Sequence, residues 1–276
     1  MTELDEITDT ELTEIITLIR AVYGYDFQGY ARTSLRRRVR RCLMGAGLQT
    51  AAEMRERLLS EPQFFAWFLQ NLTVNVTEMF RDPGFFRTVR EYLLPQLATY
   101  PTIRIWHAGC STGEEVFSMA ILMHEAGLLN RTRLYATDLN PANLERARSG
   151  IVHLQEMKNY TANYLKSGGS QDFSSYYTAL YQHALIRKEL RTNIVFSQHN
   201  LVTDRVFNEF QLIVCRNVLI YFNRELQRRV IRLFHDSLVP RGYLALGTKE
   251  SLLYTDQQGY FEDICKKEKI YRRQSD

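Results

Sequence analysis

The residues best suited to chemistry follow two predicted strands in the second half of the chain. The first strand leads into the turn HAGCSTGE (107–114), whose glycines would let a ligand approach the backbone closely. The second ends at Asp138, about 25 residues later, where a carboxylate can accept hydrogen bonds from both hydroxyls of a ribose. Asp138 alone could be a turn or cap residue. Together with the glycine turn it favours a nucleoside-binding site.

The same turn indicates which nucleoside would fit. It does not match the GxGxxG pattern that binds a pyrophosphate. Glu114 stands where a phosphate would need the positive N-terminus of a helix, although it could instead form a capping box with Ser111. A nucleoside bound without phosphates at the first two strand ends points to S-adenosylmethionine.

Alternating strands and helices would position these residues from about residue 102 onwards. The predicted strands are 102–109, 133–138, 193–201 and 210–222, followed by YLALGT (243–248) and KIYRR (269–273). The predicted helices between them are 110–127, 140–150 and 224–238, the last stopped by Pro240 and Gly242. This alternation predicts a mostly parallel sheet with helices on both faces, in which ligands bind at the carboxyl ends of the strands.

The first hundred residues show helical periodicity and no strand pattern. Capping boxes at Thr8–Glu11 and Thr50–Glu53 each begin a helix, another helix fits 32–44, and Pro62 begins a fourth. We therefore expect an α/β protein whose small N-terminal domain is all-helical.

Charge is concentrated at the N-terminus although the net charge is only +4. Residues 1–28 hold seven acids and one arginine, whereas residues 29–52 hold six arginines and no acid. On the helix at 32–44, one face gathers Arg36, Arg37, Arg40 and Arg41, with Arg32 and Arg38 at its margins. This arginine face is either a solvated surface or a docking site for an acidic partner, because arginine matches carboxylates and phosphates. Nucleic acid would also fit, but the face has no interleaved aromatic residues.

Composition excludes several classes of protein. The 276 residues are 45% hydrophobic and 24% charged, which is typical of a globular chain. No apolar run approaches the ~20 residues of a membrane span, and the acidic start is unlike a signal peptide. The four cysteines are scattered, so we expect reduced thiols in the cytoplasm and no metal site.

Four stretches together resemble the chemoreceptor glutamate methyltransferases of the CheR type. They are NLTVNVTEMFRDPGFF (71–86), WHAGCSTGEEVFSMA (106–120), TDLNPANLERARSGIV (137–152) and CRNVLIYFNRELQ (215–227), the last followed by LVPRGYLALGTKESL (238–252). The resemblance implies a helical substrate-docking domain (1–80), a linker helix (81–100) and a Rossmann-like S-adenosylmethionine-dependent methyltransferase domain (101–276). It also implies a small antiparallel β insertion at 164–195.

The resemblance further implies roles for individual residues. Arg81 and Tyr221 would be catalytic, Arg81 orienting the substrate carboxylate and Tyr221 lying beside the methyl group. The cofactor, which becomes S-adenosylhomocysteine, would be bound by Asn75, Thr77, Arg81, Gly109, Glu114, Asp138, Asn200, Leu201, Arg216 and Asn217. The arginine face, Arg36, Arg37, Arg40 and Arg41, would dock the acidic helical region of cytoplasmic chemoreceptors. We expect no nucleic-acid partner, no membrane insertion and a monomer.

The expected reaction explains why no strong base is visible. A glutamate side chain has a reference pKa near ~4.3 and is already a nucleophile at neutral pH. The enzyme then mainly aligns carboxylate, methyl and sulfur, so His107 and His199 are expected to be structural or to line the cofactor.

Other readings stay open. The chain could methylate nucleic acid or a small molecule, although CRNVLIYF lacks the Asn/Asp-Pro-Pro-Tyr pattern common among enzymes that methylate base amino groups. It could also bind S-adenosylmethionine without turnover. Some family members use the insertion to hold a peptide at the receptor's C-terminus, but residues 164–195 match that version poorly.

Overall fold

A computed structural model describes residues 7–73, 75–252 and 258–274. Within residues 7–73 the chain forms the helices α1 (Asp9–Tyr23), α2 (Arg32–Gly45), α3 (Ala51–Ser60) and α4 (Pro62–Leu72). The predicted capping box of Thr8 and Glu11 is confirmed, because each side chain bonds the other's backbone N–H. Thr50 caps α3 and Pro62 occupies the first turn of α4, as predicted, but the second half of the Thr50–Glu53 capping box is absent, because Glu53 accepts from the N–H of Gln49.

These four helices share an apolar core. The inner face of α2 is apolar: Leu35, Val39, Cys42 and Leu43 are buried against apolar residues of the other helices. The arginines on the rest of α2 are thus fixed in direction by the packing of the opposite face.

A helical segment joins this core to the rest of the chain. It consists of α5 (Pro83–Thr88), a π-helical turn (Val89–Leu93) and α6 (Leu94–Leu97). Its apolar residues, among them Phe85, Phe86 and Leu97, pack in the core of the sheet domain. The segment therefore moves with that domain and positions the residues that precede it.

A seven-stranded mixed sheet forms the second domain. Its strands are β1 (Ile103–Ala108), β2 (Thr132–Asp138), β6 (Ile194–Gln198), β7 (Phe210–Cys215), β8 (Leu238–Leu246), β9 (Phe261–Cys265) and β10 (Ile270–Arg273). The order is β6-β2-β1-β7-β8-β10-β9, parallel from β6 to β8 and antiparallel beyond. The helices are α7 (Glu114–Glu125), α8 (Pro141–Ser149), α9 (Met157–Lys166), α10 (Lys188–Arg191) and α11 (Arg224–Asp236). The expected α/β fold is confirmed.

Several predicted boundaries were wrong. The strand expected over 210–222 ends at Cys215, because Asn217 takes a left-handed φ of 62° and residues 219–221 form a 3-10 turn. The helix expected over 224–238 ends at Asp236, and Pro240 and Gly242, which were expected to stop it, lie inside β8. β9 was not predicted.

A second, three-stranded antiparallel sheet confirms the expected β insertion in kind. It consists of β3 (Ile151–His153), β4 (Tyr177–Leu180) and β5 (His183–Ile186), in the order β3-β5-β4. One strand therefore comes from upstream of the predicted range 164–195. Among the described residues, no helix combines the length and the apolarity needed to cross a bilayer.

Candidate active site

A cleft lies at the carboxyl ends of the parallel strands, beside the helical domain. It is lined by residues that follow β1, β2, β6 and β7 and by the chain between α4 and α5. Every residue predicted to be catalytic or cofactor-binding lines the cleft except Glu114: Asn75, Thr77, Arg81, Gly109, Asp138, Asn200, Leu201, Arg216, Asn217 and Tyr221. The structure thus brings together side chains separated by almost 150 positions; their individual roles stay predictions.

The glycine turn forms the floor of this cleft. Gly109 has a φ of 81°, a left-handed conformation that favours glycine. A Cβ on Gly109 would lie 2.5 Å from a methyl carbon of Val218, so only glycine lets the turn and the loop after β7 meet. The N–H groups of Gly109 and Cys110 both donate to the Thr137 carbonyl, at 2.8 and 2.9 Å. These bonds fix the turn beside the end of β2.

Asp138 is held by the turn itself. Its carboxylate accepts hydrogen bonds from the N–H of Ser111 at 2.8 Å, the N–H of Asn140 at 2.9 Å and the amide of Asn143 at 3.1 Å. Burial raises the pKa of Asp138, while these donors oppose the rise. Asp138 lines the cleft, and these donors hold its carboxylate in place there.

A further polar atom beside Asp138 suits a ligand with hydroxyl groups. The Ser111 hydroxyl oxygen is buried and, within the described residues, has no hydrogen-bond partner. Buried polar atoms are normally paired, so this one fits a site that is completed by a bound molecule. The residues present therefore fit the nucleoside of S-adenosylmethionine.

The side chains of the two consecutive glutamates of α7, Glu114 and Glu115, point in different directions. The Glu114 carboxylate lies outside the cleft lining and accepts a hydrogen bond from the Thr112 hydroxyl at 2.7 Å. Burial raises its pKa. Glu115, which the sequence did not single out, lines the cleft instead. Gly113, not Ser111, is the N-cap of α7, so the alternative Ser111–Glu114 capping box is wrong.

Glu115 belongs to a partly buried ionic network in the wall of the cleft. It lies 3.0 Å from His107 Nδ1 and 3.2 Å from Arg216 Nη1, and Arg216 Nη2 also bonds Asp82 at 2.5 Å. Burial pushes the pKa of Glu115 upward, but His107 and Arg216 outweigh it and the pKa lies below its ordinary value. Arg216 is also 4.3 Å from the Phe85 ring centre, so its place is tightly determined. His107 itself is fully buried and does not line the cleft.

The chain between the domains is tied to α8. Asn143 donates to Asn75 Oδ1 at 2.8 Å, and the same Asn143 donates to Asp138. Arg81 donates to the Val76 carbonyl at 3.3 Å, and its guanidinium has further N–H groups. Asn143 thereby holds both Asn75, in the chain between α4 and α5, and Asp138, the predicted ribose acceptor.

The loop after β7 is bonded to the helical domain. The N–H of Ala31 donates to the Tyr221 carbonyl, and the N–H of Asn223 to the Gly29 carbonyl, each at 2.8 Å. Between them the rings of Tyr30 and Phe222 meet edge to face, with centroids 5.0 Å apart. The residues just before α2 are therefore packed directly against the segment that contains Tyr221.

Arg38 is the cleft residue that sequence reasoning misplaced. It was assigned to the margin of the exposed arginine face, but it is buried and lines the cleft. Its guanidinium lies 4.3 Å from the Tyr221 ring centre and donates to the Leu72 carbonyl at 2.9 Å. Burial lowers its pKa. Its position one residue after Arg37 turns it toward the buried side of α2, which the helical pattern alone could have indicated.

The four predicted docking arginines lie on α2. Arg37 and Arg41 are exposed, whereas Arg36 and Arg40 are half-buried, and Arg36 forms an ion pair with Asp9 at 2.5 Å.

His199 lines the cleft as expected, packs edge to face on Trp106, and has its pKa lowered by burial.

Comparison with known proteins agrees with this geometry. A family described as "CheR methyltransferase, SAM binding domain" matches residues 75–270, and "CheR methyltransferase, all-alpha domain" matches residues 10–73. A putative methyltransferase, Cher3, from Pseudomonas putida is 48% identical over 266 residues, which are 96% of this chain and 97% of that protein.

Two more distant relatives are named chemotaxis protein methyltransferase. The Listeria innocua protein is 31% identical over 86% of this chain and 88% of its own length. The Escherichia coli protein is 29% identical over 94% of this chain and 90% of its own length. The chain belongs to the CheR methyltransferase family, and it is an enzyme that uses S-adenosylmethionine as its methyl donor.

Proposed function

We propose that this methyltransferase modifies glutamate side chains in the acidic helical region of a chemoreceptor and forms glutamate methyl esters. It acts as a monomer in the cytoplasm, in chemotaxis-type adaptation. The relatives named chemotaxis protein methyltransferase support this proposal.

One observation carries the proposal: a single helix serves both the arginine face and the cleft. α2 presents Arg37 and Arg41 to solvent, while its Arg38 packs on Tyr221 inside the cleft. A glutamate-rich helix paired with the exposed arginines would lie next to the cleft. The planar arginine fork suits carboxylates, and the pairing would bring an acceptor glutamate to Tyr221.

The chemistry needs alignment more than activation. When bound, S-adenosylmethionine supplies a methyl group on a positively charged sulfur. The ionised acceptor oxygen forms the new O–C bond as the C–S bond breaks, and the electron pair of that bond stays on sulfur. No proton moves, so no general base is needed. Arg81 would orient the acceptor carboxylate and Tyr221 would position it in line, which can supply several kcal/mol (~7–11 at most).

The test is transfer of a tritiated methyl group to cytoplasmic receptor fragments. We expect label that is released as methanol in base, because esters hydrolyse there and N-methyl groups do not. Arg81→Ala and Tyr221→Phe should each lower the rate at least tenfold. Tyr181→Phe is the matched control, since Tyr181 is fully exposed on the small sheet. Base-stable label, or no label on any receptor fragment, would refute the proposal.

A further inference from the structure

A buried carboxylate outside the cleft holds the loop that carries Tyr221. Glu250 follows β8, and its side chain is almost inaccessible, with 4% exposure. Its Oε2 accepts hydrogen bonds from the N–H of Asn217 at 3.1 Å and of Gly247 at 2.6 Å, and its Oε1 accepts one from the N–H of Ile220 at 3.3 Å. Three backbone donors thus converge on one side chain.

The donors belong to the part of the loop that departs from strand geometry. Asn217 has a left-handed φ of 62°, and Ile220 lies in the 3-10 turn that ends at Tyr221. A left-handed asparagine and a short 3-10 turn are not self-sustaining, so surrounding contacts must hold them. Glu250 satisfies N–H groups on one side of the loop, and Gln227 bonds the carbonyls of Leu219 and Phe222 on the other.

The packing around the carboxylate leaves no space. A Cβ on Gly247 would lie 2.8 Å from Glu250 Oε2 and 2.9 Å from the Asn217 nitrogen. The glycine therefore allows the strand end to approach the loop closely enough for the carboxylate to bridge them. A glutamate with N–H donors on both oxygens cannot be replaced by glutamine without turning one acceptor into a donor.

We infer that Glu250 is a positioning residue for methyl transfer, which sets the place of Asn217 and Tyr221 in the cleft through the backbone N–H groups that it binds. It does not touch the reacting atoms. The inference rests on the proposed function only in the choice of acceptor substrate. That Glu250 holds the loop after β7 does not depend on which substrate is methylated.

The test is a double-mutant cycle between Glu250→Gln and Tyr221→Phe, read by methyl transfer to a receptor fragment. In the wild-type background Glu250→Gln should lower kcat by on the order of 10- to 100-fold, the effect of a small misplacement in an active site. The KM for the fragment should change less than threefold. In the Tyr221→Phe background the same substitution should cost clearly less, because the tyrosine hydroxyl that it misplaces is gone and only its effect through Asn217 remains. Equal losses in both backgrounds would overturn the inference.

Glu125→Gln is the matched control. Glu125 is a half-buried carboxylate, bonded by Arg90 and by the hydroxyls of Tyr164 and Tyr176, but it lies at the far end of α7, about 16 Å along the helix from Glu114. It should leave kcat unchanged. If Glu250→Gln does not fold, Gly247→Ala displaces the same carboxylate and replaces it in the cycle.

Hydrogen exchange separates this inference from the proposed function. Glu250→Gln should speed exchange of the peptide 216–222 at least tenfold, and Glu125→Gln should not. If the wild-type enzyme labels no receptor fragment but Glu250→Gln speeds exchange, the proposed substrate is refuted and the role of Glu250 in holding the loop stands. If the wild-type enzyme labels the fragments but exchange of peptide 216–222 is unchanged in Glu250→Gln, only the role of Glu250 in holding the loop is refuted.

Discussion

The guanidinium carbon of Arg38 lies 4.3 Å from the centre of the Tyr221 ring, and this contact joins the basic helix α2 to the methyl-transfer cleft. The same arginine donates to the Leu72 carbonyl at the end of α4, near the chain that carries Asn75 and Arg81. Arg38 therefore connects three parts of the cleft wall: the helix that carries the proposed docking arginines, a predicted catalytic tyrosine and the interdomain segment.

We expect Arg38→Met to lower kcat roughly tenfold while changing affinity for S-adenosylmethionine less than threefold. Methionine retains most of the length but loses a desolvated cation–π contact, which can be worth about 2 kcal/mol. Steady-state kinetics with a receptor fragment and calorimetry with the cofactor would measure the two effects. Arg37→Met is the control, because Arg37 is the exposed neighbour on the same helix; it should raise KM for the receptor and leave kcat unchanged.

Charge reversal on the arginine face should act on receptor binding alone. Arg41→Glu should raise KM for the receptor fragment several-fold, and Arg37→Glu with Arg41→Glu at least roughly tenfold, with a smaller effect at high salt because exposed charges are screened. Arg133→Glu changes the net charge as much as Arg41→Glu does, but at the exposed start of β2, the end of the strand away from the cleft, and it should have no effect. Similar KM values for the Arg41 and Arg133 variants would contradict docking by this face.

The sequence was informative where function depends on strand ends and much less so where it depends on distant contacts. Asp138 and Gly109 could be placed because a β-α-β pattern brings neighbouring strand ends together. Glu250 could not, because its 33-residue separation from Asn217 is closed only by the pairing of β7 with β8. Glu114 and Glu115 are identical in type and adjacent, and only the direction of α7 decides which one faces the cleft.

Arg38 and β9 show two other limits. Arginine is read as a surface residue by its charge, and this outweighed the place of Arg38 on the helix, next to the buried Leu35 and Cys42. β9, of sequence FEDIC, is short and rich in charge, so its place as an antiparallel edge strand comes from pairing with β10. Strand propensity does not predict β9 from its own five residues.

Gly109→Ala should abolish tight cofactor binding, whereas Gly127→Ala should not. Both glycines have left-handed φ values, 81° and 69°, so both substitutions carry a similar backbone cost of about 1 kcal/mol. A Cβ at Gly109 meets Val218 at 2.5 Å, while a Cβ at Gly127 meets nothing within 4 Å. Thermal unfolding should show the backbone loss in both variants and a further loss for Gly109→Ala from the Val218 contact, and calorimetry should show a large loss of affinity only for Gly109→Ala. Equal affinities would mean that the turn and the Val218 loop need not meet.

Glu115 and Glu114 should respond to pH in opposite ways. The pKa of Glu115 is lowered, so the folded state binds fewer protons than the unfolded state near the ordinary value of 4.5. Its contribution to stability is present above that value and is lost as the pH falls through the lower folded pKa. The pKa of Glu114 is raised by burial, so its charge costs stability at neutral pH, and that cost disappears on mild acidification.

Glutamine substitutions turn this contrast into a measurement. At neutral pH Glu115→Gln should lower the free energy of unfolding by about 3 kcal/mol, because it removes a carboxylate from a partly buried network with Arg216. That penalty should shrink as the pH falls below 4.5. Glu114→Gln should cost less than about 1 kcal/mol at neutral pH, because glutamine keeps an acceptor for the Thr112 hydroxyl without a buried charge. Urea unfolding across this pH range would test both, and a penalty for Glu115→Gln that is independent of pH would show that its charge does not stabilise the cleft wall.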